Sequence, residues 1–219
     1  MGNIEIVTGI LLALNGLMTY KGLQDPTFFH TYSFRVGEIL EQKDYKRLVT
    51  SAFLHGDWAH FGFNMFTLYF FANNLESAAG IPKFLFIYFG SLLGSNLFSL
   101  YIHRTNSYYS AIGASGAVSG VVFACIALFP GMEVSLFLLP FFIPAWIYGI
   151  GYVLYSIYGM KAQNDNIGHE AHLGGAILGL LIAIALFPFV LQTNQFTVIA
   201  VLVPSVAFLV YLLKKENVF

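Results

Sequence analysis

Charged side chains are scarce in this sequence. Asp, Glu, Lys and Arg together make up 10% of the 219 residues, whereas about 25% is usual in a soluble domain. Hydrophobic residues make up 58%, and the mean hydropathy is +0.73. This composition predicts an integral membrane protein whose function lies among its helices. With a net charge of −1 and no long run of charges of one sign, no nucleic-acid partner is expected.

Cysteine is also rare, and the features of a signal peptide are lacking. Cys125 is the only cysteine, which excludes an intrachain disulfide and a metal site built from several cysteines. The N-terminal segment lacks the basic start and the small-residue cleavage site of a signal peptide. We therefore expect it to be retained as the first membrane span.

Apolar stretches that are long enough to cross a bilayer recur along the chain. A hydrocarbon core about 30 Å thick needs roughly 20 apolar residues per helix. The sequence therefore predicts an all-α fold, a polytopic membrane helix bundle that forms one compact domain. The seven predicted spans are Ile4–Tyr20, Trp58–Leu75, Ile81–His103, Ile112–Phe129, Phe137–Tyr158, His169–Val190 and Phe196–Leu213.

Three connections or breaks have their own signature. Residues 21–57 mix aromatic and charged side chains, which favours short amphipathic helices in the membrane interface and a packed element rather than a linker. The fifth span contains Pro140 and Pro144, so its first half is predicted to be irregular. Residues 161–168 form the most polar short loop and are predicted to be a mobile connector.

Polar residues cluster at three places within or beside the predicted spans. A charged group inside a span costs about 2.5–3.5 kcal/mol on insertion scales, so polar residues there are candidates for function. The clusters are His55, Asp57, His60 and Asn64; Gly113, Ser115, Gly116, Ser119 and Gly120; and His169, His172, Gly175 and Gly179. In the first cluster, Asp57 is placed to cap a helix, and His60 and Asn64 lie on one helix face.

Ser115 and His172 are the candidate nucleophile and general base. A serine hydroxyl stays protonated near neutral pH, so it needs a base to attack a carbonyl. Gly175 and Gly179 lie below His172 on one helix face, and small residues allow helices to approach closely in lipid. The glycines around Ser115 offer a matching surface, so we expect the hydroxyl and the imidazole to come within hydrogen-bond distance.

Attack on a carbonyl creates an oxyanion that needs hydrogen-bond donors. The candidates are His60, Asn64 and the backbone N–H of Ser115, helped by the positive end of the helix that Ser115 begins.

These motifs resemble those of the rhomboid family of intramembrane serine proteases, in matching order and spacing from about Asp44 to Gly179. The family's Gly-x-Ser-Gly motif is matched by residues 113–116, and its histidine with two spaced glycines is matched by His172, Gly175 and Gly179. The resemblance implies a six-span core in residues 1–190, which includes the interfacial loop 21–57. The additional span in residues 191–219 is predicted from its apolar stretch alone, since the resemblance says little about it.

The resemblance also implies roles for the clustered residues. Ser115 and His172 would form a catalytic dyad, His60 and Asn64 would stabilise the oxyanion, and His55 would shape the water-accessible cavity. Supporting positions are Gly113, Gly116, Gly175 and Gly179. No cofactor and no metal ion is expected.

The implied partners are the lipid bilayer and transmembrane protein substrates that enter laterally. The expected location is the cell membrane, the inner one where there are two, with the active site open to the exterior or periplasm.

Two positions depart from the family pattern. Lys46-Arg47 replaces a frequent Trp-Arg pair, which predicts different packing in the first loop. Ser119 stands one turn after the nucleophile, where many members have an aromatic residue that stacks on the histidine, so His172 is predicted to be held less firmly.

Two alternative functions are open at this point, a metal-dependent protein and an inactive binder, and a third, an aspartyl protease, is excluded. His55, His60, His169 and His172 could form a metal site, although His169 and His172 lack the His-Glu-x-x-His spacing of zinc proteases. An aspartyl protease needs two carboxylates inside spans, and the sequence offers none well inside one. An inactive rhomboid-like binder is disfavoured by the presence of both dyad residues.

Overall fold

The computed structural model describes residues 4–135, 142–162 and 167–214, and these fold mainly into helices. A 3-10 turn, Ser51–Phe53, lies between α4 and α5. The helices are α1 (Ile6–Gln24), α2 (Pro26–Tyr32), α3 (Val36–Leu40), α4 (Arg47–Thr50), α5 (Trp58–Ala79), α6 (Ile81–Ile102), α7 (Ser115–Leu128), α8 (Ala145–Ala162), α9 (His169–Leu186), α10 (Val190–Thr193) and α11 (Gln195–Lys214). Two antiparallel strand pairs join β1 (Phe34–Arg35) to β2 (Ser110–Ala111) and β3 (Glu133–Ser135) to β4 (Phe142–Pro144).

The long helices confirm the predicted all-α membrane bundle. Within the described residues, α1, α6 and α9 are long and apolar enough to cross a membrane, and α7 and most of α11 are shorter apolar helices. The remaining long helices, α5 and α8, have 22 and 18 residues. The protein is therefore an integral, multi-pass membrane protein with a helix at each predicted span.

The fourth span begins later than predicted, at Ser115 instead of Ile112. Gly113 causes this difference because its φ angle is +120°, which a right-handed helix cannot contain. The nucleophile candidate consequently occupies the first position of α7 rather than its interior.

The fifth span was also predicted to begin too early, at Phe137. The helix begins at Ala145, and the residues before it form β4. Pro144 disfavours helical geometry at the residue that precedes it, so the irregular first half expected from the prolines is confirmed at Pro144. The other proline, Pro140, lies outside the described residues, as do residues 163–166 of the predicted connector.

The first loop is a packed element, as predicted. Arg47 of α4, which is 5% exposed, links this short helix to the C-terminal end of α2. The Arg47 guanidinium donates to the carbonyls of His30 and Ser33 at 2.7 and 2.8 Å and to Asp44 at 2.9 Å. The arginine retained in Lys46-Arg47 thus organises this loop.

Helix α7 lies at the centre of the bundle. Every residue from Gly116 to Ala127 is buried, and α5, α6 and α9 pack around the helix. Its 14 residues span about 21 Å, which is short of a hydrocarbon core about 30 Å thick. The ends of α7 therefore need polar partners inside the bundle.

The C-terminal end of α7 receives such a partner from outside the six-span core. The side chain of Asn194, between α10 and α11, donates to the carbonyls of Ile126 and Ala127 at 2.8 and 3.1 Å. These carbonyls belong to the last turn of α7, where a helix leaves its acceptors unpaired. From Asn194, α11 runs alongside α8, so the helix at the seventh predicted span is part of the packed bundle.

Candidate active site

Ser115 is placed at the start of α7 by a tight turn at Gly113. A Cβ atom at Gly113 would lie 2.9 Å from Nε2 of His60 and 3.8 Å from Oγ of Ser115. Glycine is therefore required both for the positive φ angle and for the close approach of the His60 ring. The same geometry brings the Ser115 hydroxyl and the His60 imidazole close to one point, the Cβ position of Gly113.

His172 lies in the first turn of α9, and the α7–α9 contact brings it towards Ser115. Cβ atoms at Gly175 and Gly179 would come within 2.0 Å of the Gly116 carbonyl oxygen and 2.2 Å of that of Gly120, respectively. The helix backbones thus touch through the glycines identified in the sequence. The carbonyl of Ala171, next to His172, lies 3.4 Å from the Cβ position of Gly116, next to Ser115.

Both side chains line one cavity of about 1420 Å³ inside the bundle. His60 and Asn64 of α5 line the same cavity, together with Gly113 and Gly116. Four of the residues predicted to act chemically therefore meet at one space. Gly175 and Gly179 lie in the helix contact beside it, where they set the separation of α7 and α9.

Asn64 and His60 are held by the first turns of α5. Asp57 caps this helix as predicted, and its carboxylate accepts from the His60 backbone N–H at 2.7 Å. The Asn64 amide donates to the His60 carbonyl at 3.0 Å, and Asn64 is 4% exposed. An amide nitrogen carries two hydrogens, so this bond leaves one available for a ligand in the cavity.

His55 lies behind the cavity wall rather than on it. Its ring is fully buried, with Nδ1 2.8 Å from the Thr19 hydroxyl and Nε2 3.5 Å from the backbone N–H of Ala114. Burial, with a smaller effect of His60, lowers the pKa of His55 from 6.5 to about 3 against the opposing effect of Asp57. The neutral ring therefore donates to Thr19 and accepts from Ala114, the residue before Ser115.

A polar cluster at the start of α9 was not predicted from the sequence. Tyr109 donates to Glu170, whose carboxylate lies 3.3 Å from Nε2 of His103, and the rings of His103 and Tyr109 stack with centroids 3.5 Å apart. Burial raises the pKa of Tyr109, so its hydroxyl remains a donor. This cluster fixes the loop after α6 to the helix turn that carries His172, and the local sequence around His103 gave no sign of it.

Tyr152 is a second residue whose position the sequence did not predict. Its ring lies against His172 with centroids 6.0 Å apart and planes inclined by 22°, and its hydroxyl lies 2.5 Å from that of Ser119. An aromatic side chain of α8 therefore contacts His172, although the position on α7 where many rhomboids carry such an aromatic residue is Ser119.

The histidines considered as a metal site fall into two pairs. The ring centroids are 5.0 Å apart for His55 and His60 and 6.2 Å apart for His169 and His172. Among the described residues, no group of three or more His, Cys, Asp or Glu side chains is arranged to hold a metal ion.

A cavity between membrane helices, with a serine and a histidine among the residues that line it, defines the class of protein: a multi-pass membrane protein with a candidate site between its helices. Residues 42–189 match the Rhomboid domain. The match covers more than half of the 219 residues, and the chain therefore belongs to the rhomboid family.

Curated relatives come from mitochondria and from bacteria. The chain is 33% identical to Rhomboid protein 1, mitochondrial, of Saccharomyces cerevisiae over 65% of its length and 43% of that protein. It is 34% identical to RHOMBOID-like protein 12, mitochondrial, of Arabidopsis thaliana over 81% of its length and 57% of that protein. It is 29% identical to Rhomboid protease AarA of Providencia stuartii over 77% of its length and 66% of that protein. The chain thus spans about half the length of the first two relatives.

Proposed function

We propose that the protein is an intramembrane serine endopeptidase in which Ser115 and His172 form the catalytic dyad. The observation that carries this proposal is the shared cavity: both side chains line it, and glycine contacts bring their two helices into backbone contact. Membership of a family that includes a protease, AarA, supports the same function.

The proposed reaction proceeds through an acyl-enzyme. His172 accepts the proton of Ser115 Oγ as this oxygen bonds to the carbonyl carbon of the substrate. The tetrahedral intermediate collapses with cleavage of the C–N bond, and His172 gives the proton to the departing amine. Water then attacks the ester carbon while His172 accepts a proton from it. Release of the carboxylate product returns that proton to Ser115.

The oxyanion is stabilised by groups around the start of α7. The first N–H groups of a helix have no acceptor within the helix, and the helix dipole favours negative charge there. His60 and the Ser115 hydroxyl both lie close to the Cβ position of Gly113, and Asn64 lines the same cavity. These donors would act most strongly on the charge that develops in the transition state.

The substrates we propose are transmembrane segments of other proteins, which enter laterally between α5 and α8. The cavity wall includes Phe63 and Thr67 of α5 and Tyr148 of α8, and Phe63 is 68% exposed at the outer face of the bundle. A helix satisfies its own carbonyls, so a substrate must unwind locally before it is cut. Substrates with small or helix-breaking residues near the membrane surface are therefore favoured.

The proposed location is the cell membrane, with the N-terminus inside and the cavity open to the exterior or periplasm. The relative AarA is bacterial, whereas the yeast and Arabidopsis relatives are named as mitochondrial. A mitochondrial membrane is thus the competing location.

A reconstituted cleavage assay tests the proposed function. The purified protein is incorporated into liposomes with a reporter that carries a single membrane span, small residues near its end and a soluble tag on each side. We expect one cut site, no cut by Ser115→Ala, and normal cutting by Ser99→Ala, which removes a buried hydroxyl of α6. Cleavage by Ser115→Ala would contradict the proposal, and loss on chelation with recovery in zinc would favour a metal enzyme.

A further inference from the structure

The ring of Tyr152 forms part of a chain of contacts that joins α7, α8 and α9. Its stack on His172, with a centroid distance of 6.0 Å, falls in the range of offset aromatic pairs. Another face of the ring packs against Phe123 of α7, with centroids 5.5 Å apart. Tyr152 thus fills the space between the central helix and the helix that carries the general base.

Hydrogen bonds extend this chain to the backbone of the nucleophile. The Ser119 hydroxyl donates to the Ser115 carbonyl at 2.7 Å, so its oxygen is left to accept from the Tyr152 hydroxyl at 2.5 Å. Ser119 is 4% exposed, and buried polar groups keep their partners because losing one is costly. The ring that contacts His172 is therefore tied through one side chain to Ser115 itself.

A second contact links α8 to the same turn of α9. The His169 ring occupies the space that a side chain at Gly159 would need, with Nε2 2.1 Å from the Cβ position. The Tyr155 ring lies edge-on to His169 with centroids 5.1 Å apart. The first turn of α9 is thus held against α8 by two sets of contacts, those of His172 and those of His169.

We propose that Tyr152 is the positioning residue for His172 and that Ser119 is its anchor, an inference that rests on the proposed dyad. The hydrophobic ring limits the tilt of the imidazole, and the hydroxyl fixes the ring relative to the nucleophile. Ser119, one turn after Ser115, thus supports His172 indirectly, because its hydroxyl holds the Tyr152 ring of α8 in place. Displacement of α8 would withdraw this support, so the alignment of base and nucleophile depends on where α8 lies.

The test compares three variants with a matched control in the reporter assay. Tyr152→Leu removes the ring, and kcat is expected to fall by about 10–100-fold with KM nearly unchanged, because small misplacements of a catalytic group cost up to about 10²-fold. Tyr152→Phe and Ser119→Ala each remove one end of the same hydrogen bond, and each is expected to lower kcat several-fold. The control Tyr158→Leu removes an aromatic ring from the same helix at a 61% exposed position and should retain the wild-type kcat.

A double-mutant cycle separates positioning from general packing. If one hydrogen bond is shared, Ser119→Ala/Tyr152→Phe should be no slower than the slower single variant, whereas independent effects would multiply. Multiplying effects, or a wild-type kcat in Tyr152→Leu, would overturn the proposal. If Tyr152→Leu fails to fold, the cycle alone decides the matter. Absence of Ser115-dependent cleavage in the wild type would instead show that the proposed function itself has failed.

Discussion

At the scale of single residues, Asn64 offers a clean test of the oxyanion site. Asn64→Ala is expected to lower turnover by about 10²–10³-fold with little effect on folding, as loss of one oxyanion donor does in other hydrolases. His60→Ala is expected to lose less. The measurement is the rate of reporter cleavage at saturating substrate.

Asn74 provides a matched control for this change. It lies on the same helix, and its amide donates to the Phe70 carbonyl at 2.8 Å as that of Asn64 does to His60. Its side chain is exposed on the outside of the bundle, so Asn74→Ala should keep the wild-type rate. Equal rates for Asn64→Ala and the wild type would remove Asn64 from the site.

His55 predicts a dependence of stability on pH. Burial, and less strongly His60, lowers the pKa of His55 to about 3 in the folded protein, below its ordinary value of 6.5. A depressed pKa means that the folded state resists protonation, so the stabilisation is complete above about pH 6.5 and is lost as pH falls towards 3. His55→Gln should therefore lose less thermal stability between pH 7 and pH 4 than the wild type does.

Other titrating groups change the thermal stability of both proteins alike, so the difference between the two pH dependences reports on His55. Thermal unfolding in detergent at each pH gives the change of unfolding temperature with pH for both proteins. An equal loss of stability in His55→Gln and the wild type would show that His55 does not titrate as its surroundings imply.

Single-residue roles differ in how far the sequence reveals them. Ser115 and His172 could be proposed as nucleophile and base because their motifs are local: a serine between glycines, and a histidine above a glycine pair. The contact of Tyr152 with His172 could not, because it depends on how α8 lies against α9. The absence of an aromatic residue at Ser119 was the one signal that a ring should be sought elsewhere.

At the scale of secondary-structure elements, the contact between α7 and α9 governs the site. A Cβ atom at Gly179 would lie 2.2 Å from the Gly120 carbonyl oxygen, and a backbone atom cannot move aside easily. Gly179→Ala should therefore destabilise the protein by about 1–3 kcal/mol, the usual cost of overpacking, and should also reduce turnover because the helices separate. Thermal unfolding and reporter cleavage measure the two effects.

Gly62 is the matched control for this prediction. It lies in α5, and a Cβ atom there would meet nothing within 4 Å. Gly62→Ala should be neutral or slightly stabilising, since alanine favours helices more than glycine does. Similar unfolding temperatures for Gly179→Ala and Gly62→Ala would contradict the close contact.

The predictability of the elements follows from the range of the interactions that define them. Each long helix was visible as an apolar stretch, because helix length in a membrane is set locally by bilayer thickness. The pairing of β1 with β2 joins residues about 75 positions apart, Phe34 with Ala111 and Arg35 with Ser110, and no local pattern indicates it. The starts of α7 and α8 were misplaced because single residues, Gly113 and Pro144, override the apolar pattern.

At the scale of the whole molecule, the charge distribution and the rhomboid resemblance predict opposite orientations. With seven spans, nine of the ten Lys and Arg residues fall on one side and Lys83 alone falls on the other. The positive-inside rule would place the nine in the cytoplasm, whereas the rhomboid resemblance places the first loop outside and the N-terminus inside. Five of the nine belong to the first loop, where Arg47 is buried and paired, so we favour the second orientation.

Cysteine accessibility in intact cells decides between the two orientations. In a Cys125→Ser background, single cysteines replace Asn3 and Gln163, which lie outside the described residues. A third replaces Thr105, an exposed residue of the α6–α7 loop on the same side as Gln163. An impermeant maleimide should label Gln163→Cys and Thr105→Cys but not Asn3→Cys. The reverse pattern would overturn the proposed orientation.

The central claim, that Ser115 is a nucleophile activated by His172, is tested most directly by fluorophosphonate labelling of the detergent-purified protein. Only a base-activated serine reacts readily with this reagent. We expect the adduct to map to Ser115 by mass spectrometry, to be absent in Ser115→Ala, and to form far more slowly in His172→Ala. Labelling of His172→Ala at the wild-type rate, or an adduct that persists in Ser115→Ala, would contradict the account.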